Sequence, residues 1–177
     1  MKSFPFFYQH DSMDCGPTCL RMIAMHYGKH YSLETLRKRS EFSRLGVSML
    51  GISQAAESIG FRSTGVKITF EDLKESTLPC IIHWNQNHFM VVHGFKGRGK
   101  RLKVLVADPS AGLNQFSERE FRNGWISTIS RGKELGAALI LEPTPEFRLA
   151  PGESVNRNKF RFLLSYVKPY KQLISQL

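Results

Sequence analysis

The sequence predicts an α+β domain, helices first and an antiparallel sheet after them, and two patterns carry that expectation. Up to Gly60, apolar residues recur at helical spacing between residues that start and stop helices. Beyond Gly60 the chain changes to short runs rich in β-branched and apolar residues, separated by turn-forming clusters. Elements segregated in this order bury their apolar faces by packing helices against a sheet.

Residues 16–27 carry Leu20, Ile23, Ala24 and Tyr27 at helical spacing, with Pro17 in the opening turn and Gly28 as the stop. Cys15 is thereby placed at a helix N-terminus. A second helix is expected from Ser32 to about Arg39, and a third from near Ser48 through Ile52, Ala55, Ala56 and Ile59 to Gly60. Strands are expected at 61–68, 79–84, 88–95, 102–107 and 137–141. Asn85-Gln86-Asn87 and Gly97-Arg98-Gly99-Lys100 have turn composition, so the middle of the chain should form a meander. Ser117-Glu118-Arg119-Glu120 before Phe121 reads as a capping box opening one more helix. Pro143, Pro145, Pro151 and Gly152 then break the pattern. The expected organisation is a domain over 1–142, a linker over 143–158 and a basic amphipathic segment over 159–177. That last stretch has no acidic residue and interleaves cations with apolar side chains, as a juxtamembrane segment would.

At 177 residues with 41% hydrophobic content, the chain can bury one substantial core. Its net charge of +10 implies attraction to something anionic without choosing between nucleic acid, a lipid surface and an acidic substrate. Three cysteines, with Cys15 and Cys19 one helical turn apart, do not make a disulfide scaffold, and a reducing compartment is expected. The N-terminus reaches Gln9, His10 and Asp11 before a signal-like apolar stretch forms, and no run approaches the roughly 18 apolar residues of a membrane span.

A cysteine at a helix N-terminus is placed to act as thiolate, because the dipole and free N–H groups favour the anion. Position alone is equally compatible with a buried structural thiol. Cys19 and Cys80 lack that placement and read as core. Of the six histidines, His88 follows a polar turn and begins an apolar strand, where a general base could project from a rigid edge; His83 and His93 read as structural. Asp108 closes the next strand, from which a carboxylate can reach an imidazole and hold its tautomer, although an Asp-Pro pair is also an ordinary turn former.

Gln9, the stretch Asp11-Ser12-Met13-Asp14-Cys15-Gly16-Pro17-Thr18-Cys19, then His88-Phe89-Met90-Val91-Val92 and Asp108-Pro109 together resemble the double-glycine leader peptidases. These are papain-like cysteine peptidase domains at the N-termini of bacterial ABC transporters that export bacteriocins and related peptides. The resemblance spans about residues 4–142. It implies that Cys15 forms the acyl-enzyme, that His88 takes its proton and later protonates the leaving amine, and that Asp108 orients His88. Gln9 would help form the oxyanion hole beside the Cys15 N–H.

The resemblance further implies cleavage after a Gly-Gly type pair in a precursor whose leader docks as an amphipathic helix. It implies a cytoplasmic position at the bacterial inner membrane and transporter parts downstream, in a full-length homodimer. No cofactor is implied for the peptidase domain itself, and ATP and Mg only for a downstream nucleotide-binding domain. The apolar stretch 45–50 reads first as the opening of a helix and second as part of a leader groove. Three rival classes are a non-catalytic leader-binding module, a different cysteine hydrolase on the same fold, and a nucleic-acid binder prompted by Arg98, Lys100, Arg101 and Lys103. No recognised nucleic-acid motif supports the last, and no nucleic-acid partner is expected. A zinc site is disfavoured by the Cys15–Cys19 spacing.

Overall fold

The computed structural model describes residues 3–40 and 46–153, so the basic segment expected at 159–177 and the end of the expected linker lie outside the described residues. Three helices come first: α1 (Cys15–His26), α2 (Leu33–Arg39) and α3 (Met49–Ser58). They are followed by β1 (Phe61–Ile68), α4 (Phe70–Glu75), β2 (Cys80–Trp84), β3 (His88–Lys96), β4 (Lys103–Asp108) and β5 (Gly112–Ser117). The series ends with α5 (Glu118–Trp125), β6 (Ile126–Ser130), β7 (Lys133–Pro143) and α6 (Pro145–Leu149). The α+β reading holds.

The helix limits follow from their caps. Ser32 and Ser48 accept the backbone N–H groups of Thr35 and Gly51 at 3.2 and 3.1 Å, satisfying donors that a helix start leaves unpaired. At the end of α1, Gly28 has φ +84°, and the N–H groups of Gly28 and Lys29 turn back to the carbonyls of Met25 and Ala24, each at 2.9 Å. That left-handed closure suits a residue without Cβ.

The strands form one antiparallel sheet ordered β1-β7-β2-β3-β4-β5, with β6 paired to β7 off that path. β2 to β5 make the expected meander, and β7 returns to lie between β1 and β2. Two apolar cores lie on opposite faces of the sheet. On one, Leu20 and Ile23 of α1, Leu36 of α2 and Ile52 of α3 meet Ile81, Phe89, Val91 and Leu139. On the other, Phe70 of α4 and Phe121 and Trp125 of α5 meet Cys80, Ile82, Met90 and Val92. Successive residues of β2 and β3 therefore serve opposite cores, which is why both strands read as unbroken apolar runs.

The structure departs from the sequence expectation most clearly after residue 142. β7 extends through Pro143, paired with Phe61, and Thr144 caps α6 by accepting the Phe147 N–H at 3.3 Å. Phe147 is 1% exposed, with its ring centroid 4.3 Å from that of Phe61. Further on, the Glu153 N–H donates to the His30 carbonyl and its carboxylate accepts from the Ser32 N–H, both at 2.9 Å. Residues 143–153 are thus packed on the domain. Pro145 occupies the first turn of a helix, where its missing N–H costs nothing, so the prolines here mark a helix start.

Candidate active site

The chain approaches Cys15 through a 3-10 turn, Ser12–Asp14. Asp11 accepts the Met13 N–H at 3.3 Å, and Asp14 accepts the Asp11 N–H at 3.0 Å, so two side chains close the turn reciprocally. The Asp14 side chain is fully buried and is gripped by Arg37 of α2, with Nε 2.6 Å from Oδ1 and Nη2 on Oδ2. Burial acts to raise its pKa, but the hydrogen bonds and charge of Arg37 outweigh it and hold the carboxyl below its ordinary value. An ionised, doubly hydrogen-bonded anchor therefore sits immediately before Cys15. Sequence reasoning missed this pair, because nothing local connects residues 23 apart on different helices.

Cys15 is the first residue of α1 and is 6% exposed. A side chain on Gly16 would collide with Val47 and Ile52, so glycine is what lets the chain leading into α3 lie against the first turn of α1. That approach brings Val47 and Met49 beside the thiol. They line, with Met13, Cys15, His83 and Phe89, a cavity of about 370 Å³. Within the stretch 45–50, Ser48 opens α3 as expected, and Gly46, Val47 and Met49 line the cavity beside Cys15.

His88 begins β3 after a turn in which Asn85 and Gln86 have φ +46° and +57°, with the Asn85 N–H held by the Gly124 carbonyl at 2.8 Å. Its Nε2 lies 2.8 Å from Oδ1 of Asp108, the last residue of β4, and Cys15 is near enough to act on its protonation. Nδ1 is the ring nitrogen left for the thiol. Burial acts to lower the His88 pKa, but hydrogen bonds to Asp108 and Cys15 and their charges raise it to about 9. Burial acts to raise the Asp108 pKa, and hydrogen bonds from His88 and from Ser110, whose N–H and Oγ lie 2.8 and 2.7 Å from Oδ1, bring it down to about 2. The Asp108-Pro109 pair is therefore a turn former and a histidine partner at once.

Gln9 joins the same group through its backbone, whose N–H donates to the Pro109 carbonyl at 3.0 Å. Its buried side-chain oxygen has no hydrogen-bond partner among the described residues. All four sequence-selected residues, Gln9, Cys15, His88 and Asp108, thus belong to one cluster of loops and element ends.

The remaining candidates separate as follows. Cys19 is fully buried with its Sγ 3.4 Å from the Phe89 carbonyl, and burial, with smaller effects from Cys15 and Asp108, pushes its pKa well up. Burial pushes Cys80 up to about 12. Both are core residues. His93 sits where the β3–β4 register shifts and stacks on Phe4 at 4.5 Å, close to His26. His83 stacks on Phe89 at 4.8 Å and, beyond this packing role, forms part of the cleft wall; burial and then the proximity of His88 lower its pKa. Among the described residues no group of histidines, cysteines and carboxylates is arranged to hold a metal ion.

The sequence matches the Peptidase C39 family over residues 3–131. It is 27% identical over 173 residues to the colicin V secretion/processing ATP-binding protein CvaB of Escherichia coli, covering 98% of this chain and 23% of CvaB. It is 32% identical over 128 residues to the lactococcin-G-processing and transport ATP-binding protein LagD of Lactococcus lactis, covering 69% of this chain and 18% of LagD. The chain thus spans less than a quarter of these relatives. Among solved structures, a double glycine motif protease from an AMS/PCAT transporter, crystallised with its leader peptide, is 33% identical with TM-score 0.68, covering 80% of this chain and 93% of that one. The peptidase domain of Streptococcus ComA is 27% identical with TM-score 0.65, covering 80% of this chain and 100% of that one. With the family match extending over well beyond half of the sequence and the solved relatives sharing its fold, the chain belongs to the peptidase C39 family and is a cysteine peptidase.

Proposed function

We propose that the domain removes leader peptides after a Gly-Gly type site from bacteriocin-like precursors, and that it does so at the cytoplasmic face of a bacterial inner membrane as part of a peptide-exporting ABC transporter. The observation that carries the reading is the chain of contacts from Cys15 to His88 to Asp108, with the last link 2.8 Å long. The names of the relatives, which process and transport peptides, supply the substrate class and the transporter. ATP and Mg belong in this reading to a nucleotide-binding part downstream of residue 177, and the full-length protein works as a homodimer.

In the proposed reaction the Cys15 thiolate attacks the carbonyl carbon of the second glycine, with His88 carrying the proton. The tetrahedral oxyanion is held by the Cys15 backbone N–H and the Gln9 side-chain amide, a donor of a kind worth about 3 kcal/mol in the transition state. Collapse breaks the C–N bond as His88 protonates the departing amine, leaving the leader as a thioester on Cys15. Water then attacks that thioester, giving a proton to His88 and releasing the leader carboxylate and the thiol. Asp108 keeps Nε2 occupied, so that Nδ1 faces the sulfur throughout.

The test is incubation of the reduced protein with a synthetic leader ending in Gly-Gly plus a short cargo, followed by mass spectrometry, with Cys15→Ala alongside. Cleavage after the glycine pair that is absent in the variant is the expected outcome. Binding without cleavage by the unsubstituted protein would instead make the domain a docking module.

A further inference from the structure

The hairpin joining β3 to β4 is the most basic feature of the described surface, and the chemistry at Cys15 makes no use of it. Lys96, Arg98, Lys100, Arg101 and Lys103 fall within eight residues that contain no acid. Lys96, Arg98, Lys100 and Arg101 are exposed, and none of them makes an ion pair or a side-chain hydrogen bond among the described residues. Gly97 and Gly99, with φ +84° and +54°, fold the tip into a short 3-10 turn. The cations therefore stand on an exposed hairpin tip.

Position matters as much as charge. Asp108 ends β4 at the catalytic cluster, and Lys103 begins the same strand at its other end, about 17 Å away at about 3.4 Å per residue. Met25, His26 and Gly28, at the end of α1 far from Cys15, share one cavity with Gly94, Phe95 and Leu105 at the base of the hairpin. Glu153, the last described residue, is tied to His30 just beyond that helix end. The hairpin and the point from which the chain continues thus lie at one end of the domain. The sequence that continues carries Arg157, Lys159, Arg161, Lys168 and Lys171 without an acidic residue.

We propose that the Lys96–Lys103 hairpin docks the domain on an anionic lipid surface. An exposed hairpin tip with several cations that make no ion pair among the described residues suits a plane of anionic headgroups. It does not suit capture of a single phosphate, because in the depression that Lys100 and Arg119 line, Arg122 is already paired with Glu118 and Glu134. It does not suit single-stranded nucleic acid either, since no aromatic residue lies between the cations to stack on a base. The inference shares with the proposed function the premise that the domain works beside a membrane, but its readout does not use the peptidase site.

The experiment is sedimentation of the full chain with vesicles of phosphatidylglycerol and phosphatidylcholine, and with phosphatidylcholine alone, at about 0.1 M salt. The variant is Arg98→Gln/Lys100→Gln/Arg101→Gln, and the control removes as many exposed charges elsewhere, as Lys67→Gln/Arg131→Gln/Lys133→Gln. Binding should require phosphatidylglycerol and weaken about fivefold per hairpin charge removed, about 100-fold in all, with the control close to the unsubstituted chain. Equal loss in the control would reduce the effect to bulk charge, and an unchanged hairpin variant would assign it to residues beyond 153; either result overturns the proposal. Coincidence of its circular dichroism spectrum and thermal unfolding with those of the unsubstituted chain verifies that the hairpin variant is folded. Should that variant not fold, Arg98→Gln alone must still lose about fivefold, and no loss rejects the proposal. An oligonucleotide that displaces the protein from the vesicles while binding through the same three cations would replace lipid with nucleic acid as the partner.

Discussion

Asp108 and Cys15 together decide how tightly His88 holds its proton, against burial that favours the neutral ring. The folded pKa of His88, about 9, lies above its ordinary 6.5, so the stability this pairing contributes is full below 6.5 and is lost as pH rises through about 9. The folded pKa of Asp108, about 2, lies below its ordinary 3.8, so its contribution is full above 3.8 and is lost as pH falls through about 2. If the leaving amine takes its proton from His88, as in the proposed reaction, kcat/KM for a leader peptide should fall above about pH 9. In Asp108→Asn the Asp108 charge that helps to raise the His88 pKa is gone, while the Cys15 contribution remains. That alkaline limb should move toward 6.5 and kcat/KM should drop by about 10²-fold, and a pH profile whose alkaline limb does not move would refute this role for Asp108.

A second residue-scale outcome concerns Asp14. Arg37→Met would leave a buried carboxylate unpaired, and denaturant unfolding should show a loss of about 2 kcal/mol. This is below the roughly 3–5 kcal/mol of a fully buried pair, because the Arg37 side chain is 34% exposed. Adding Asp14→Asn should restore part of the loss, since the uncompensated charge goes with it. No recovery in the double variant would mean that Arg37 stabilises the fold by some route other than this ion pair.

Among the elements, α6 carries the firmest consequence. Its Phe147 fills the junction of Phe61 and Tyr27, so Phe147→Ala should destabilise the domain by about 3–4 kcal/mol in denaturant unfolding, whereas a linker residue would cost almost nothing. The elements that sequence reasoning found are those with strong local signals: serine caps before α2 and α3, the Ser117–Glu120 box before α5, and the apolar runs of β2 and β3. α4 had such a signal, since Thr69 and Asp72 form a capping box, but only six residues follow and too few turns exist to show a period. β5 and β6 had none. Gly112–Ser117 and Ile126–Ser130 are short and largely polar strands, and their pairing with β4 and β7 makes them strands.

At the scale of the whole molecule, the sheet is covered by α1–α3 on one face and by α4 and α5 on the other, with the candidate active site around His88 and Asp108 at one end and the basic hairpin at the other. The motif residues made the family legible before any coordinates, because nucleophile, base and acid must each be a particular residue type at an element end, and such requirements leave local marks. Helix caps, turns and apolar runs are local in the same way, so the order of most elements could be read along the chain, and Gln9, Cys15, His88 and Asp108 could be singled out as candidates that the fold then gathers. Tertiary structure alone decided the rest: the Asp14–Arg37 anchor, the cleft wall built from Val47, Met49 and His83, the docking of α6 and the strand character of β5 and β6. Each of these depends on contacts between residues far apart in sequence. Their energies come from burial and from pairing across elements, which a sequence displays only after the chain has brought those elements together.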